Sequence, residues 1–417
     1  MTTLFHPLTP VVEEGPALLA GTEEGPSLAA HRVQHGDLPR LDAETLEALV
    51  EGVALRGRGG AAFPFATKLA AARRNSRHGR RPVVVVNLSE GEPASSKDAA
   101  LAATRPHLVL DGAAVTARAL RSRELHVVLP GDRPAAAEAM RTALAERRDL
   151  PTVHTHVAEP RFVAGQARAV LELMAGRPGL PVTAWQPEAV SGHRGRPTLL
   201  SNAETWARVG LLALAGPTSY AALGTADEPG TTLLTLSRPG TRPLVREVAY
   251  GARFRDLLRP GDLGRPALLG GFHGTWVTAE TLANARISVT GLRALGASLG
   301  AGVVLTAPEG TCPVVLTARI TDYLAGQSAR RCGPCLNGLP ALARAVADVR
   351  DGQGGTDRAL GLAATVERRG ACAHPDGTVR LVRSLLATFA DEVDVHARGG
   401  CSERTPLHVV HAEEVAS

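Results

Sequence analysis

The sequence predicts an α/β protein in three parts: a parallel, Rossmann-like domain, a small β-rich domain and a helical C-terminal region. Three observations carry this. Four consecutive valines, Val83–Val86, are short and β-branched throughout, as in a strand buried on both faces of a parallel sheet. From about 46 to 215, helical stretches alternate with short apolar runs, which is the pattern of strands joined by helical crossovers. Beyond 226 the pattern changes to short strands and Gly-Pro turns, and from about 311 the chain reads as helix.

Taken in order, residues 1–45 are rich in Gly, Pro and Glu and read as an irregular lead-in. Residues 46–225 form the α/β domain. Its strand candidates are Val83–Val86, Leu125–Leu129 and Val153–Val157, with helical character over 107–122 and 134–148. Residues 226–310 form the small domain, where Thr231–Ser237 and Val303–Thr306 read as strands, and residues 311–417 form the helical region. A chain of 417 residues, 44% of them hydrophobic, can bury more than one core. The net charge of +5 does not indicate nucleic acid, because the arginines are scattered among acidic residues and aromatics are only 3%. No apolar run is long enough to span a bilayer, and the early prolines and acidic pairs do not make a signal peptide. The expectation is a cytoplasmic protein without membrane insertion, free to dock onto a membrane-bound partner.

Residues 55–68 read Leu-Arg-Gly-Arg-Gly-Gly-Ala-Ala-Phe-Pro-Phe-Ala-Thr-Lys. Gly57, Gly59 and Gly60 let the backbone fold tightly with its N–H groups turned toward a ligand. A helix-forming stretch follows, and a helix N-terminus favours a phosphate. Arg58 and Lys68 add positive charge. Of the 46 Lys+Arg residues only Lys68 and Lys97 are lysine, so lysine stands where a compact ammonium fits and a broad guanidinium does not. An ordinary glycine-rich turn is the other reading of this run.

Beyond the valine run stand Asn87, Ser89, Glu90 and Glu92, in Asn-Leu-Ser-Glu-Gly-Glu-Pro, with Lys97-Asp98 following. In open α/β sheets ligands bind beyond the carboxyl ends of strands. Together the two motifs resemble the NADH-binding flavoprotein subunit of bacterial complex I and its relatives in NAD-linked hydrogenases and formate dehydrogenases. That family carries Gly-Arg-Gly-Gly-Ala-Gly-Phe-Pro with a lysine shortly after, then Asn-Ala-Asp-Glu-Gly-Glu-Pro and Lys-Asp. Both lysines of this chain fall on family lysine positions. Pro197-Thr-Leu-Leu-Ser-Asn-Ala-Glu-Thr205 is similar to the family's Pro-Thr-Val-x-Asn-Asn-Val-Glu-Thr. The resemblance implies an FMN cradle of Gly57, Arg58, Gly59, Lys68, Asn87, Glu90, Asn202 and Thr205. It also implies a β-grasp fold for 226–310, which Gly296-Ala-Ser-Leu-Gly-Ala-Gly302 closes. Ser89 and Ser201 replace a family aspartate and asparagine, and both can still hydrogen-bond. Asn202 also reads as a helix cap, and both roles are compatible.

The five cysteines are Cys312, Cys332, Cys335, Cys372 and Cys401, and an odd number in a cytosolic protein argues against a disulfide framework. Cys332-Gly-Pro-Cys335 opens a helix, which favours thiolates. By itself the pair is a zinc half-site, a redox pair or part of an iron–sulfur site; the redox reading is weakened because the pair does not open a βαβ unit. The family places Ser-Cys-Gly-x-Cys-x-Pro-Cys here and Cys-Ala some forty residues later. The resemblance therefore implies that Cys332, Cys335 and Cys372 hold an iron–sulfur cluster. The family's first cysteine aligns with Ala329, which leaves three thiolates and a [3Fe–4S] or site-differentiated [4Fe–4S] centre. Cys312, His374 and Cys401 are the candidate stand-ins.

The nicotinamide side departs further. The family's Tyr-x-x-Gly-Glu-Glu is Phe162-Val-Ala-Gly165-Gln166-Ala167 here, and its Lys-Pro-Pro-Phe-Pro is Ala184-Trp185-Gln186-Pro187-Glu188. Phe63 keeps one aromatic. Trp185 reads either as a base-stacking residue or as a partly buried tryptophan. The expectation is an electron-transfer flavoprotein that passes electrons between FMN and the cluster to a ferredoxin-like protein or another oxidoreductase subunit, with a degraded NADH site. A non-catalytic scaffold subunit and a zinc-stabilised module that keep the fold are the alternatives.

Overall fold

The computed structural model describes residues 8–76 and 80–403. The chain starts with strand β1 (Val11–Val12), helix α1 (Leu28–His35), α2 (Ala43–Gly52) and α3 (Phe65–Arg74). Strand β2 (Val83–Asn87) follows, then α4 (Lys97–Thr104), α5 (Pro106–Ala119), β3 (Glu124–Pro130), α6 (Pro134–Glu146), β4 (Thr152–Ala158) and α7 (Ala167–Met174). Strand β5 (Thr198–Asn202) leads into α8 (Ala203–Ala221). A run of short elements comes next: β6 (Thr231–Ser237), β7 (Leu244–Ala249), β8 (Ala267–Leu269), β9 (Thr275–Val277), α9 (Ala279–Asn284), α10 (Val289–Ala294) and β10 (Val303–Thr306). Helices α11 (Pro313–Gly326), α12 (Leu339–Arg350), α13 (Thr356–Val366), α14 (His374–Thr388) and α15 (Ala390–Ala397) complete the described chain.

One sheet has the order β4-β3-β2-β5, and every pair in it is parallel. The predicted strands are all present, and β2 is buried at each of its positions. The chain leaves β2 toward β3 on one side and later returns to β2's other side as β5. That makes the β2/β5 boundary the switch point where a crevice opens. The last residues of the two strands, Asn87 and Asn202, are paired in register. Helices α5 and α8 cross at glycines: a Cβ on Gly112 would lie 1.9 Å from the Trp206 carbonyl oxygen, and one on Gly210 2.4 Å from that of Leu108. The close approach seats the Trp206 indole in the core, where its N–H donates to the Val85 carbonyl at 2.9 Å.

The second sheet is mixed, with the order β1-β7-β6-β10-β8-β9. Its first strand corrects the reading of residues 1–45 as irregular. Val11 and Val12 pair in parallel with Leu244 and Val245, and the Glu247 carboxylate accepts the N–H groups of Ala17, Leu18 and Leu19 at 3.1, 2.9 and 3.0 Å. A buried carboxylate needs such donors, and this one anchors two fully buried leucines, Leu18 and Leu19. Helix α1 is tied down by Asp111, a buried carboxylate that accepts from His31 at 2.8 Å and from Arg32 at 2.8 and 3.0 Å. The C-terminal helices close a separate core around Val314, Ile320, Leu339, Leu342, Val382 and Leu385. Among the described residues, no helix is long and apolar enough to cross a membrane.

Candidate functional site

At the carboxyl ends of β2 and β5 lies a cleft of about 560 Å³. All eight predicted cradle residues, Gly57, Arg58, Gly59, Lys68, Asn87, Glu90, Asn202 and Thr205, line it. The glycine loop is pinned at one end. The Gly57 N–H donates to the Phe63 carbonyl at 2.8 Å, and the Arg58 N–H to Thr205 Oγ1 at 2.9 Å. Among the described residues, nothing accepts the N–H groups of Gly59, Gly60, Ala61 or Ala62. Gly60 has φ +99°, and a Cβ on Gly59 would meet nothing within 4 Å. These residues wall the cleft, so free donors border it. Helix α3 begins only at Phe65, so the loop's donors stand a turn ahead of the helix rather than forming its N-terminus.

The side chains take distinct parts. Asn87 donates to the Gly165 carbonyl at 2.9 Å and accepts from the Ser89 N–H and hydroxyl at 3.0 and 2.6 Å. It thereby joins the β2 exit to the 162–167 loop. Glu90 accepts the Asp98 and Ala99 N–H groups, both at 3.3 Å, and so caps α4. Asn202 caps α8, accepting from the Thr205 N–H at 3.4 Å and its hydroxyl at 2.5 Å. It also donates to Asp98 at 2.9 and 3.0 Å and to the Arg58 carbonyl at 3.3 Å. Lys68 points to the cleft edge, with Nζ 3.1 Å from Glu188 Oε1 and 3.4 Å from the Leu200 carbonyl oxygen.

Beneath the cleft lies a buried charge network that explains the second lysine. Lys97 Nζ sits 2.9 Å from Asp98 and 3.4 Å from Glu204. The Arg208 guanidinium is 3.0 Å from Glu204. The Arg58 guanidinium turns inward too, with Nε 3.8 Å from Glu204 and Nη1 donating to the Tyr250 hydroxyl. Burial pulls the Arg58 pKa down, and neighbouring Arg208 adds to this. Arg58 thus serves the cleft through its backbone and through the charge it places below the floor. Burial pushes the Glu92 carboxyl up to about 8, although it accepts the Ala94 and Phe272 N–H groups at 3.1 and 2.8 Å.

The far wall holds Phe162, Gly165, Gln166, Ala167, Ala373 and Gly377. Phe162 packs edge-on to His273, with ring centroids 4.5 Å apart. Gln166, on the family's first glutamate position, lies near the Cys372 thiol and lowers its pKa. Trp185 is 95% exposed, so its reading as a partly buried tryptophan is corrected. Phe63, 46% exposed, borders the cleft.

Cys332, Cys335 and Cys372 converge from two loops. The Cys332–Cys335 turn leads into a π-helical stretch, Pro334–Gly338, that runs on into α12, and Cys372 precedes α14. Burial pushes the Cys335 thiol up to about 11, and the neighbouring Cys332 and Cys372 add to this. Burial also raises the Cys372 thiol, against hydrogen bonds from the His374 N–H and Gln166. None of the proposed stand-ins for the missing ligand reaches this group. Both ring nitrogens of His374 are engaged, Nδ1 with His273 at 3.0 Å and Nε2 with the Leu324 carbonyl at 2.8 Å. Cys312 caps the start of α11, whereas Ser328 and Ala329 lie just past its end. Those ends are about 21 Å apart over 14 residues. Cys401 lies beside Cys312. Ala329 is buried, and Arg330, on a family glycine position, holds φ +53°.

The comparisons with known proteins match this geometry. The Nuo51 FMN-binding domain matches residues 50–211, and the NADH-ubiquinone oxidoreductase-F iron-sulfur binding region matches residues 315–396. Together they define an electron-transfer flavoprotein with an FMN domain and an iron–sulfur region. The F subunit of NADH-quinone oxidoreductase from Streptomyces coelicolor is 30% identical over 86% of this chain and 84% of its own length. The corresponding Mycobacterium bovis protein is 29% identical over 96% of each. The air-oxidized structure of an NAD+-reducing [NiFe]-hydrogenase superposes with a TM-score of 0.81 at 25% identity, covering 93% of this chain and 68% of that one. The chain belongs to the family of NADH-quinone oxidoreductase F subunits, as a divergent member. Family membership also implies that it works with a redox partner subunit.

The residues present fit both groups. Four N–H donors without a partner among the described residues share the cleft with Lys68 and suit a flavin phosphate, and three neighbouring thiols suit an iron–sulfur site that keeps one position free of thiolate.

Proposed function

We propose that this chain takes electrons at the cleft and hands them singly to a partner through the Cys332, Cys335 and Cys372 site. FMN, when bound, supplies the coupling between two-electron and one-electron chemistry. Gly59–Ala62 and Lys68 hold its phosphate, while Asn87, Glu90, Asn202 and Thr205 fix the surrounding backbone. Cys332, Cys335 and Cys372 hold the cluster. The observation that carries this reading is the Gln166 contact. Gln166 lines the cleft and lies close enough to the Cys372 thiol to lower its pKa, and Ala373, the residue after Cys372, lines the cleft as well. The two centres therefore share a wall, as electron transfer between them requires.

NADH is a poor donor in this reading. Gln166 and Ala167 carry no carboxylate, and Trp185 faces solvent instead of the cleft. Each lost buried partner costs on the order of 1–3 kcal/mol. The acceptor is a ferredoxin-like protein or another oxidoreductase subunit, and the setting is cytoplasmic. The functional units run over 46–225, 226–310 and 311–417. Isothermal titration of flavin-loaded protein with NADH tests the donor side. Affinity much weaker than that of family members with both glutamates supports the proposal, and micromolar affinity overturns it.

A further inference from the structure

The two cysteines outside the cluster form a second site. Cys312, Glu392, His396 and Cys401 bring one ligand atom each to a single point, all within 4.8 Å of one another. They come from separate places: Cys312 from the start of α11, Glu392 and His396 from one face of α15, and Cys401 from the segment after it. Cys312 Sγ lies 3.3 Å from His396 Nε2 and 3.5 Å from Glu392 Oε1, and those two atoms are 3.4 Å apart. A tetrahedral zinc ion, with bonds near 2.3 Å to sulfur and 2.0–2.2 Å to nitrogen or oxygen, puts its ligand atoms about 3.3–3.8 Å apart. The three separations, 3.3–3.5 Å, fall at the lower end of that range.

The surroundings fit a metal ligand set. His396 Nδ1 lies 2.5 Å from the Arg350 carbonyl oxygen. A carbonyl only accepts, so Nδ1 carries a hydrogen and Nε2 is the nitrogen turned to the group, the outer-shell arrangement that orients histidine ligands. The Ser402 N–H donates to Glu392 Oε1 at 3.0 Å, which steadies the carboxylate. Cys312 and His396 are buried. The imidazole nitrogen and the carboxylate oxygen face each other at 3.4 Å, a spacing that a shared cation suits.

We infer that Cys312, Glu392, His396 and Cys401 bind a structural zinc ion, separate from the iron–sulfur site. Two thiolates, an imidazole and a carboxylate select zinc over magnesium or calcium. Four protein ligands leave no open position for catalysis. The ion ties the start of α11 to the end of the described chain and holds α15 against both.

The test is zinc and iron analysis of the full-length protein purified without oxygen or chelator, with X-ray absorption at the zinc edge, which the iron does not disturb. The expected result is one zinc per chain with two sulfur and two nitrogen or oxygen neighbours. Cys401→Ser should lose the zinc and keep the iron, and Cys335→Ser should lose iron and keep the zinc. Failure to bind zinc on titration, a shell of three or four sulfurs, zinc lost in Cys335→Ser but kept in Cys401→Ser, or a Cys312–Cys401 disulfide in the native protein would each overturn the assignment. The zinc measurements on unaltered protein do not depend on any variant folding, and zinc present with iron absent would count against the electron-transfer proposal alone.

Discussion

Replacing Lys68 by alanine should weaken flavin binding, and the structure gives the size. The Lys68 ammonium stands at the cleft edge, lined also by a loop in which four N–H groups have no acceptor among the described residues, and it already pairs with Glu188 at 3.1 Å. A charge-assisted hydrogen bond to phosphate contributes about 1.5–3 kcal/mol, or about 10- to 150-fold in affinity. The Lys68 side chain is 27% exposed, so solvent screening favours the lower part of that range. Glu188 sharpens the prediction. Without Lys68 its carboxylate faces the phosphate unpaired, so Lys68→Ala loses an attraction and gains a repulsion. Glu188→Gln alone should tighten FMN, because the ammonium no longer divides its charge. The double substitution should bind better than Lys68→Ala. Quenching of FMN fluorescence on titration into flavin-free protein reads all three. Lys68→Ala binding within about twofold of the unaltered protein would refute the reasoning.

Other consequences are open to direct measurement. Ala329→Cys combined with Arg330→Gly should make the cluster more resistant to oxygen, since the first restores a thiolate and the second removes a left-handed residue costing about 1–2 kcal/mol; iron retained after exposure to air is the readout. The Glu92 carboxyl sits near pKa 8 when folded, against 4.5 otherwise. The folded state then binds the extra proton, and stability falls as pH rises from about 4.5 to 8. Denaturant titrations across that window should show the fall in the unaltered protein and a flatter profile in Glu92→Gln. Gly112→Ala should destabilise by about 2–3 kcal/mol or more, because its Cβ would lie 1.9 Å from the Trp206 carbonyl oxygen and helices α5 and α8 would have to separate; thermal unfolding checks it.

The strands that organise the site are legible where side chains alone decide them. Four valines in a row and the alternating run at 231–237 fall on β2 and β6. Strand β5 is not among the predicted strands, although its last residue pairs with Asn87. Its sequence, Thr-Leu-Leu-Ser-Asn, has two apolar residues between polar ends and carries neither an alternating nor a continuous apolar signal. Residues 1–45 mislead for another reason. Their order comes from distant donors and acceptors, chiefly Glu247 and Asp111, and composition carries no trace of those. The family resemblance singles out eight residues that the fold brings to one cleft. Their division of labour is not legible in the sequence: it depends on which carboxylate each cation meets, so Arg58 turns inward to Glu204 while Lys68 stays at the rim. The pairing of Cys312 with Cys401 is equally hidden, since it needs the fold to bring together residues 89 positions apart.

In the proposed function, one wall separates a flavin cleft from a three-cysteine iron–sulfur site. The most direct test is flavin and iron analysis with paramagnetic resonance of the anaerobically purified protein, beside Cys335→Ser. Bound FMN and an iron–sulfur signal are expected in the unaltered protein, with the signal lost and the flavin kept in Cys335→Ser. Protein without flavin that does not take up added FMN, or zinc in place of iron on Cys332, Cys335 and Cys372, would contradict it.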